Sequence, residues 1–498
     1  MVKTMKITRI ICTLTVLLCL GLTGAARAEL VTPEEAELVA ANWIDAAVTV
    51  RGAWGTAQDA QVSTVDGLSD EDGLLGYVCN VEPEGFVLVT ALKGLAPVKA
   101  WSDRGTMRAD CTEGLCAVLR FKLRQARDYV EGELGPAPNL TTGSVGRLLG
   151  HDLSALWEEV LLGRQDFHQQ IGTGLVGQDY VQGEELIESQ WHQGPPYNND
   201  CPNHFCSYPN HCNYNMNAVA GCVAIAGSQI MRHWHWPPQE YWGYDWLNVL
   251  DEYDPENGCD WDPVTVDAVA HLVSTTGELV GMDYGCDGSS ATHDMMLLTY
   301  GWNFFHEAVS QIPRSAFTQS GWFDIIAAEL DNNQVMQYAV TLDPPGEDPV
   351  GHSMVLDGYN RDGNLYHFHY GWGPQAPGAC WFAVDQIPDS VLEDESMLEN
   401  IYPAMTMPGD SYGQFPVASI PYRYVSKDTY GHYVDILGGQ DVQFFPGTVL
   451  HCVEDYVKIR GSSPTASKVF SRADKSNGIA VWSDGVLAMY EEGGIRIY

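Results

Sequence analysis

The segment Gly221-Cys222-Val223-Ala224-Ile225-Ala226-Gly227-Ser228-Gln229-Ile230-Met231 constrains this chain most, because it turns from a glycine-containing loop directly into an amphipathic helix. Its cysteine therefore stands at a helix N-terminus, where unpaired backbone N–H groups and the helix dipole favour thiolate over thiol. Far downstream, Gly351-His352-Ser353-Met354-Val355-Leu356-Asp357-Gly358-Tyr359 puts a histidine at the head of an apolar, strand-like run. A nucleophilic thiol needs a proton partner. A fold that uses Cys222 must bring this helix start and this strand start to one groove.

A length of 498 residues accommodates two to four domains. With 26 basic against 65 acidic side chains the formal charge is −39, which repels nucleic acid and anionic membrane surfaces and argues against either as a partner. The N-terminus has a basic start, an apolar run from Ile10 to Leu22, and Ala26-Arg27-Ala28 before Glu29. That is the pattern of a secretory signal peptide over residues 1–28, so the mature protein is expected outside the cell, and no later run is apolar enough to span a bilayer. Of the 13 cysteines, Cys12 and Cys19 lie in the leader and Cys222 is set aside as nucleophile. The even remainder suggests disulfides in an exported chain, with pairing left open.

Residues 29–185 read as a separate α+β domain. Thr32-Pro33-Glu34-Glu35 opens a helix with Ala36, Val39, Ala40, Trp43 and Ala47 at helical spacing, Gly85 to Ala91 is a buried strand, and Val118–Val130 and Leu153–Ile171 are helical. Residues 186–407 carry every candidate catalytic residue. Residues 408–498 are dense in short alternating segments such as Val442-Gln443-Phe444-Phe445 and Ile479-Ala480-Val481-Trp482, broken by glycines, and read as a small all-β module.

Within 186–407 the parts of a thiol hydrolase can be nominated. Cys222 is the nucleophile and His352 its proton partner. Gln193, in Trp191-His192-Gln193-Gly194-Pro195-Pro196-Tyr197-Asn198, offers a side-chain amide to an oxyanion hole beside the Cys222 N–H. Tyr366-His367-Phe368-His369-Tyr370-Gly371-Trp372-Gly373 offers an orienting residue, His369, and a shielding aromatic, Trp372. A histidine about 130–150 residues after the cysteine is the order found in papain-like thiol proteases.

These blocks, with Met282-Asp283-Tyr284-Gly285, resemble the streptopain family of secreted bacterial cysteine proteases. The similarity reaches upstream, where Gly85 to Ala91, Pro97-Val98 and Trp101-Ser102 resemble that family's inhibitory propeptide. The resemblance implies an α+β, papain-like peptidase domain behind an N-terminal α+β propeptide, leaving the β tail unexplained. It implies an endopeptidase made as a zymogen, acting on protein or peptide substrates, with no cofactor or metal. Its own propeptide would be the intramolecular inhibitor, and a hydrophobic residue would be preferred two positions before the scissile bond. It makes Cys222 and His352 the dyad, Gln193 an oxyanion donor and Trp372 the shelter of the imidazole. One position departs from the pattern: His369 stands where an asparagine orients the histidine, and Tyr370 where a tryptophan follows. The alternative is a catalytically degenerate papain-like binding or adhesion protein.

Other constellations read as structural. Cys201, His204, Cys206, His211 and Cys212 have zinc-ligand chemistry, but oxidation comes first in an exported chain and the spacing matches no common finger. His233 and His235 suit a helix C-terminus. Asp283 reads as a hydrogen-bonding turn residue and Asp357 as a strand or turn residue.

Overall fold

The computed structural model describes residues 30–402 apart from internal stretches that include 172–184, 207–215, 254–260, 343–349, 361–364, 372–378 and 384–394, together with strand segments between 419 and 497. The signal-peptide reading lies outside the described residues.

Helix α1 (Pro33–Arg51) begins where the sequence places it. Thr32 Oγ1 accepts the Glu35 N–H at 3.2 Å while Glu35 Oε2 accepts the Thr32 N–H at 3.1 Å, a reciprocal cap, and Gly52 ends the helix in the left-handed conformation at φ 90°. Four antiparallel strands follow: β1 (Gln61–Asp70), β2 (Gly73–Glu82), β3 (Phe86–Thr90) and β4 (Val98–Ser102). Next come α2 (Gly114–Leu134), α3 (Thr142–Leu149), α4 (Ser154–Val160) and α5 (Arg164–Gln170). The expected single helix over 153–171 is thus two, because Gly163 sits in extended backbone as the cap of α5.

The second region contains α6 (Cys222–Trp234), α7 (Pro263–Leu279), α8 (His293–Trp302), β5 (Ser310–Pro313) and α9 (Gln319–Asp331). Strands β6 (Met336–Leu342), β7 (Val350–Asn360), β8 (Leu365–His369), β9 (Ala379–Ala383) and β10 (Glu395–Glu399) complete it. Helices gather in runs around an antiparallel sheet, which is the α+β class.

The sheet order, β1-β2-β3-β4-β9-β8-β7-β6-β10-β5, revises the picture of a separate N-terminal domain. Strand β4 pairs with β9 through Ala100 opposite Phe382 and Trp101 opposite Trp381, making one ten-stranded sheet. Both strands are buried along their whole length, and each would otherwise present an unpaired edge. The Trp101 ring lies 5.3 Å from Trp54 and stacks on Trp381 at 6.3 Å, and Lys99 donates its Nζ to the Ala383 carbonyl at 2.9 Å. The cores are shared as well: Leu88, Ala100 and Leu119 pack in one cluster with Ile225 and Val355, while Leu365 and Trp381 pack with Trp43 of α1.

In the tail, β11 (Ser419–Ile420), β12 (Val442–Phe444), β16 (Ala480–Ser483), β17 (Val486–Glu491) and β18 (Gly494–Ile497) form one sheet, and β13 (Val449–Val453), β14 (Tyr456–Arg460) and β15 (Lys468–Ser471) another. Every described element there is a strand. No helix among the described residues is long and apolar enough to cross a membrane.

Candidate active site

Cys222 is the first residue of α6, and the loop before it is held on two sides. The Ala220 N–H donates to the Gln193 carbonyl at 2.9 Å and the Val219 N–H to the Gly285 carbonyl at 3.1 Å. Gly221 has φ +88°, and a Cβ there would stand 2.7 Å from Met282 Sδ, so the turn requires glycine twice over. The Gln193 block and the Met282-to-Gly285 block are thereby brought to Cys222. From the third side comes β7, whose Ser353 N–H points at the sulfur together with the N–H groups of Cys222 and Val223 at the start of α6. The thiol is half-buried. Burial pushes its pKa up and these donors pull it down, with burial prevailing, so in this state the helix start does not yield the ready thiolate expected from sequence.

His352 lies in β7 opposite Val340, one residue before the Ser353 amide that faces the sulfur. It is 5% exposed, and burial takes its pKa down to about 4, so the ring is neutral. Nε2 donates to the Tyr370 carbonyl at 2.7 Å, and the two rings lie parallel at 6.4 Å. A neutral imidazole with its hydrogen on Nε2 carries its lone pair on Nδ1, the nitrogen able to take a thiol proton.

His369 does not make that orienting bond, which corrects the expectation from sequence. Its Nε2 instead bonds Asp357 Oδ2 at 3.2 Å, and its Nδ1 is buried without a partner. The cause is strand geometry. The β7–β8 pairing has an irregularity between Leu356 and Gly358, leaving Asp357 as the extra residue of a bulge. Its carboxylate lies within reach of both His367 and His369, which share one face of β8. A fully buried carboxylate needs donors, and His369 is taken up as one. Gln193 is half-buried and reaches the site through its backbone. Trp372 lies outside the described residues.

Two groups of residues were missed in the sequence. The first is a polar network that joins the start of α6 to β6 and β7. Gln337 Nε2 donates to the Val223 carbonyl at 3.2 Å and to Ser353 Oγ at 2.9 Å, Tyr300 donates to Gln337 Oε1 at 2.8 Å, and His293 Nε2 meets Ser353 Oγ at 2.9 Å. A glutamine inside the run Met336-Gln337-Tyr338-Ala339-Val340 was the available signal, since a polar residue in a core strand must be bonded.

The second is Asp357 itself. His367 Nδ1 lies 2.6 Å from Asp357 Oδ1 and the Ile187 N–H donates to Oδ2 at 3.0 Å; burial pushes the Asp357 pKa up, but the two histidines prevail and hold it far below the usual range. The pattern His367-Phe368-His369, two histidines on one strand face, could have flagged it. The donor atoms of Asp357, His367 and His369 lie within 4.8 Å of one another, close enough to suggest a metal. Ligands at 2.0–2.1 Å around a tetrahedral ion would stand about 3.3 Å apart, so the 2.6 Å contact is a hydrogen bond and the cluster is an ion-paired network.

Two disulfides occur among the described residues, Cys111–Cys116 and Cys206–Cys286, while Cys79, Cys201 and Cys380 are buried thiols. Cys206 is thereby removed as a zinc ligand. Cys201 is bonded to Tyr284, and burial carries its thiol up to about 12. His211 and Cys212 lie outside the described residues.

Residues 191–379 match the model of the Peptidase C10 family. Streptopain of Streptococcus pyogenes serotype M28 is 25% identical over 392 residues, covering 72% of this chain and 86% of that protein. The thiol protease/hemagglutinin PrtT of Porphyromonas gingivalis is 25% identical over 328 residues, 62% of this chain and 34% of that protein. A solved fragment of Prevotella intermedia prointerpain A superposes with a TM-score of 0.46 at 18% identity, covering 68% of this chain and 99% of that fragment. The matched segment contains Gln193, Cys222, His352 and His369; the chain is a cysteine-type peptidase, similar over this segment to the Peptidase C10 family and, more widely, to streptopain.

Proposed function

We propose that the protein is a secreted cysteine endopeptidase made as a zymogen, with Cys222 and His352 as its catalytic dyad. The observation that carries this reading is the placement of Cys222 at the start of α6, with its sulfur against the amide that follows His352 and the imidazole tautomer fixed by Tyr370. In the proposed cycle, Nδ1 of His352 takes the thiol proton as the sulfur attacks the peptide carbonyl. The Cys222 N–H and the Gln193 amide receive the oxyanion. The imidazolium then protonates the departing amine, and water activated at the same nitrogen releases the acyl group. Residues 29–185 are the inhibitory part, cut from the peptidase between Gly172 and Ser189, and the leader 1–28 directs export. A hydrophobic residue two positions before the scissile bond is preferred, and Trp372 shelters the imidazole.

Replacement of the asparagine by His369 favours a degenerate binder only if nothing else orients His352, and the Tyr370 carbonyl fills that role. The test is to incubate purified full-length chain and follow both its size and the hydrolysis of an unfolded protein substrate. Shortening by the N-terminal part together with hydrolysis, both lost in Cys222→Ala, is the expected result. Hydrolysis that persists in Cys222→Ala would overturn the assignment.

A further inference from the structure

Glu185, the first described residue after 172–184, connects the N-terminal region to the peptidase sheet. Its Oε1 accepts from Arg51 Nη2 at 3.1 Å and from the Trp381 indole at 3.1 Å, and lies 3.9 Å from His367 Nε2. Arg51, at the end of α1, rests its guanidinium over the Trp101 ring at 5.1 Å and has Asp103 as a second, longer partner at 3.8 Å. Behind Glu185, His367 is bonded to Asp357. Asp357 in turn accepts the Ile187 N–H on its side chain at 3.0 Å and the Leu186 N–H on its carbonyl at 3.1 Å. Three successive residues, 185 to 187, are thus tied to strands β7, β8 and β9. Nothing in the proposed chemistry of Cys222 and His352 uses these contacts.

The charges alternate through this group in the order Arg51, Glu185, His367, Asp357. We propose that Glu185 and His367 form a pH-dependent clasp, closed around neutrality and loosened at alkaline and at strongly acid pH, that fastens residues 185–187 and the Arg51 end of α1 to the peptidase sheet. The inference rests on the zymogen reading, since it gives the junction between inhibitor and enzyme its fastening. Among the described residues, the remaining titratable groups facing the clasp are His369, on the far side of Asp357, and Asp103, on the far side of Arg51.

The direction of the response follows from the charges. Burial opposes charging of His367, but Asp357 and Glu185 outweigh it and hold the imidazolium above the usual histidine range. That contribution is complete below the ordinary histidine pKa and is lost as pH rises through the raised one, leaving two carboxylates with Arg51 alone. Burial likewise opposes ionisation of Glu185, but His367 and Arg51 prevail and lower its pKa. Its contribution is therefore lost only as pH falls below the usual glutamate range.

The experiment uses the full-length Cys222→Ala chain, which cannot process itself, and two further substitutions within it, Glu185→Gln and Arg51→Gln. Amide exchange of Leu186 and Ile187, corrected for the intrinsic pH dependence, is followed from pH 5 to 9 alongside the His367 titration by NMR. The clasp predicts protection that falls about tenfold as His367 deprotonates. It predicts weaker, pH-independent protection in Glu185→Gln, with the His367 pKa moved down, and a His367 pKa moved up in Arg51→Gln. Opposite shifts from two substitutions at one contact are not produced by general loosening. Equal protection in parent and Glu185→Gln, or an unmoved His367 titration, overturns the clasp. Exchange is read without catalysis, so failure of the peptidase assignment would appear separately, as a wild-type chain that neither shortens nor hydrolyses substrate.

Discussion

The Nε2 of His352 donates to the backbone carbonyl of Tyr370 at 2.7 Å, so the imidazole is oriented by the main chain. An acceptor on the backbone cannot be removed by changing a side chain or by protonation. Histidine at position 369 therefore need not disable the site, and a set of predictions follows from where each side chain is bonded.

Replacing His369 by alanine leaves the Tyr370 carbonyl in place while taking one donor from buried Asp357. The expected effect is a loss of stability of about 1–3 kcal/mol, with kcat/KM changed by less than about tenfold. Thermal unfolding and steady-state kinetics on the same preparation check this. If His369 itself oriented the dyad, the loss would be in kcat and far larger.

Asp357→Asn removes the charge that two histidines share. Breaking a buried ion pair from one side costs about 3–5 kcal/mol, and chemical denaturation should show a loss of that order. A smaller loss would mean that His367 and His369 are not charge-coupled to Asp357.

Gln193 is expected to act on the transition state. Gln193→Ala should lower kcat by about 10²–10³-fold with little change in KM, and a peptide substrate series measures it. A rise in KM at constant kcat would place the side chain in substrate binding instead.

Acid should destabilise the fold through buried neutral histidines. His306 and His352 are both buried, and burial takes each down to about 4, below the ordinary histidine value. Between that ordinary value and pH 4 the unfolded chain binds protons that the folded chain does not, so stability rises with pH across this window and is lost as pH falls. The expected loss is on the order of 3 kcal/mol per group, and unfolding curves from pH 7 to 4 measure it, with His306→Phe expected to flatten the dependence.

Much of this was legible in the sequence because it is local. The cap at Thr32, the helix start at Cys222 and the strand headed by His352 are each set by residues within one or two turns. The approach of the Gln193 and Met282-to-Gly285 blocks to Cys222 was implied by family order and is made by backbone bonds from Ala220 to Gln193 and from Val219 to Gly285. What the sequence hid is long-range or depends on a single register shift. The bulge at Asp357 decides which histidine it captures, and no local pattern announces a bulge. The pairing of β4 with β9 joins residues far apart in the chain, so the N-terminal region read as a separate unit although it shares a sheet and both main cores. The raised Cys222 thiol belongs to the same class, since burial in the folded chain outweighs the backbone donors at the helix start.

The most direct test of the account is the intact mass of the processed enzyme after treatment with an epoxysuccinyl peptide, followed by peptide mapping. One adduct per chain on Cys222, formed slowly before the N-terminal part is removed and rapidly afterwards, and absent in Cys222→Ala, is the predicted result. No adduct on the processed form, or an adduct that persists on another cysteine when Cys222 is replaced, would contradict it.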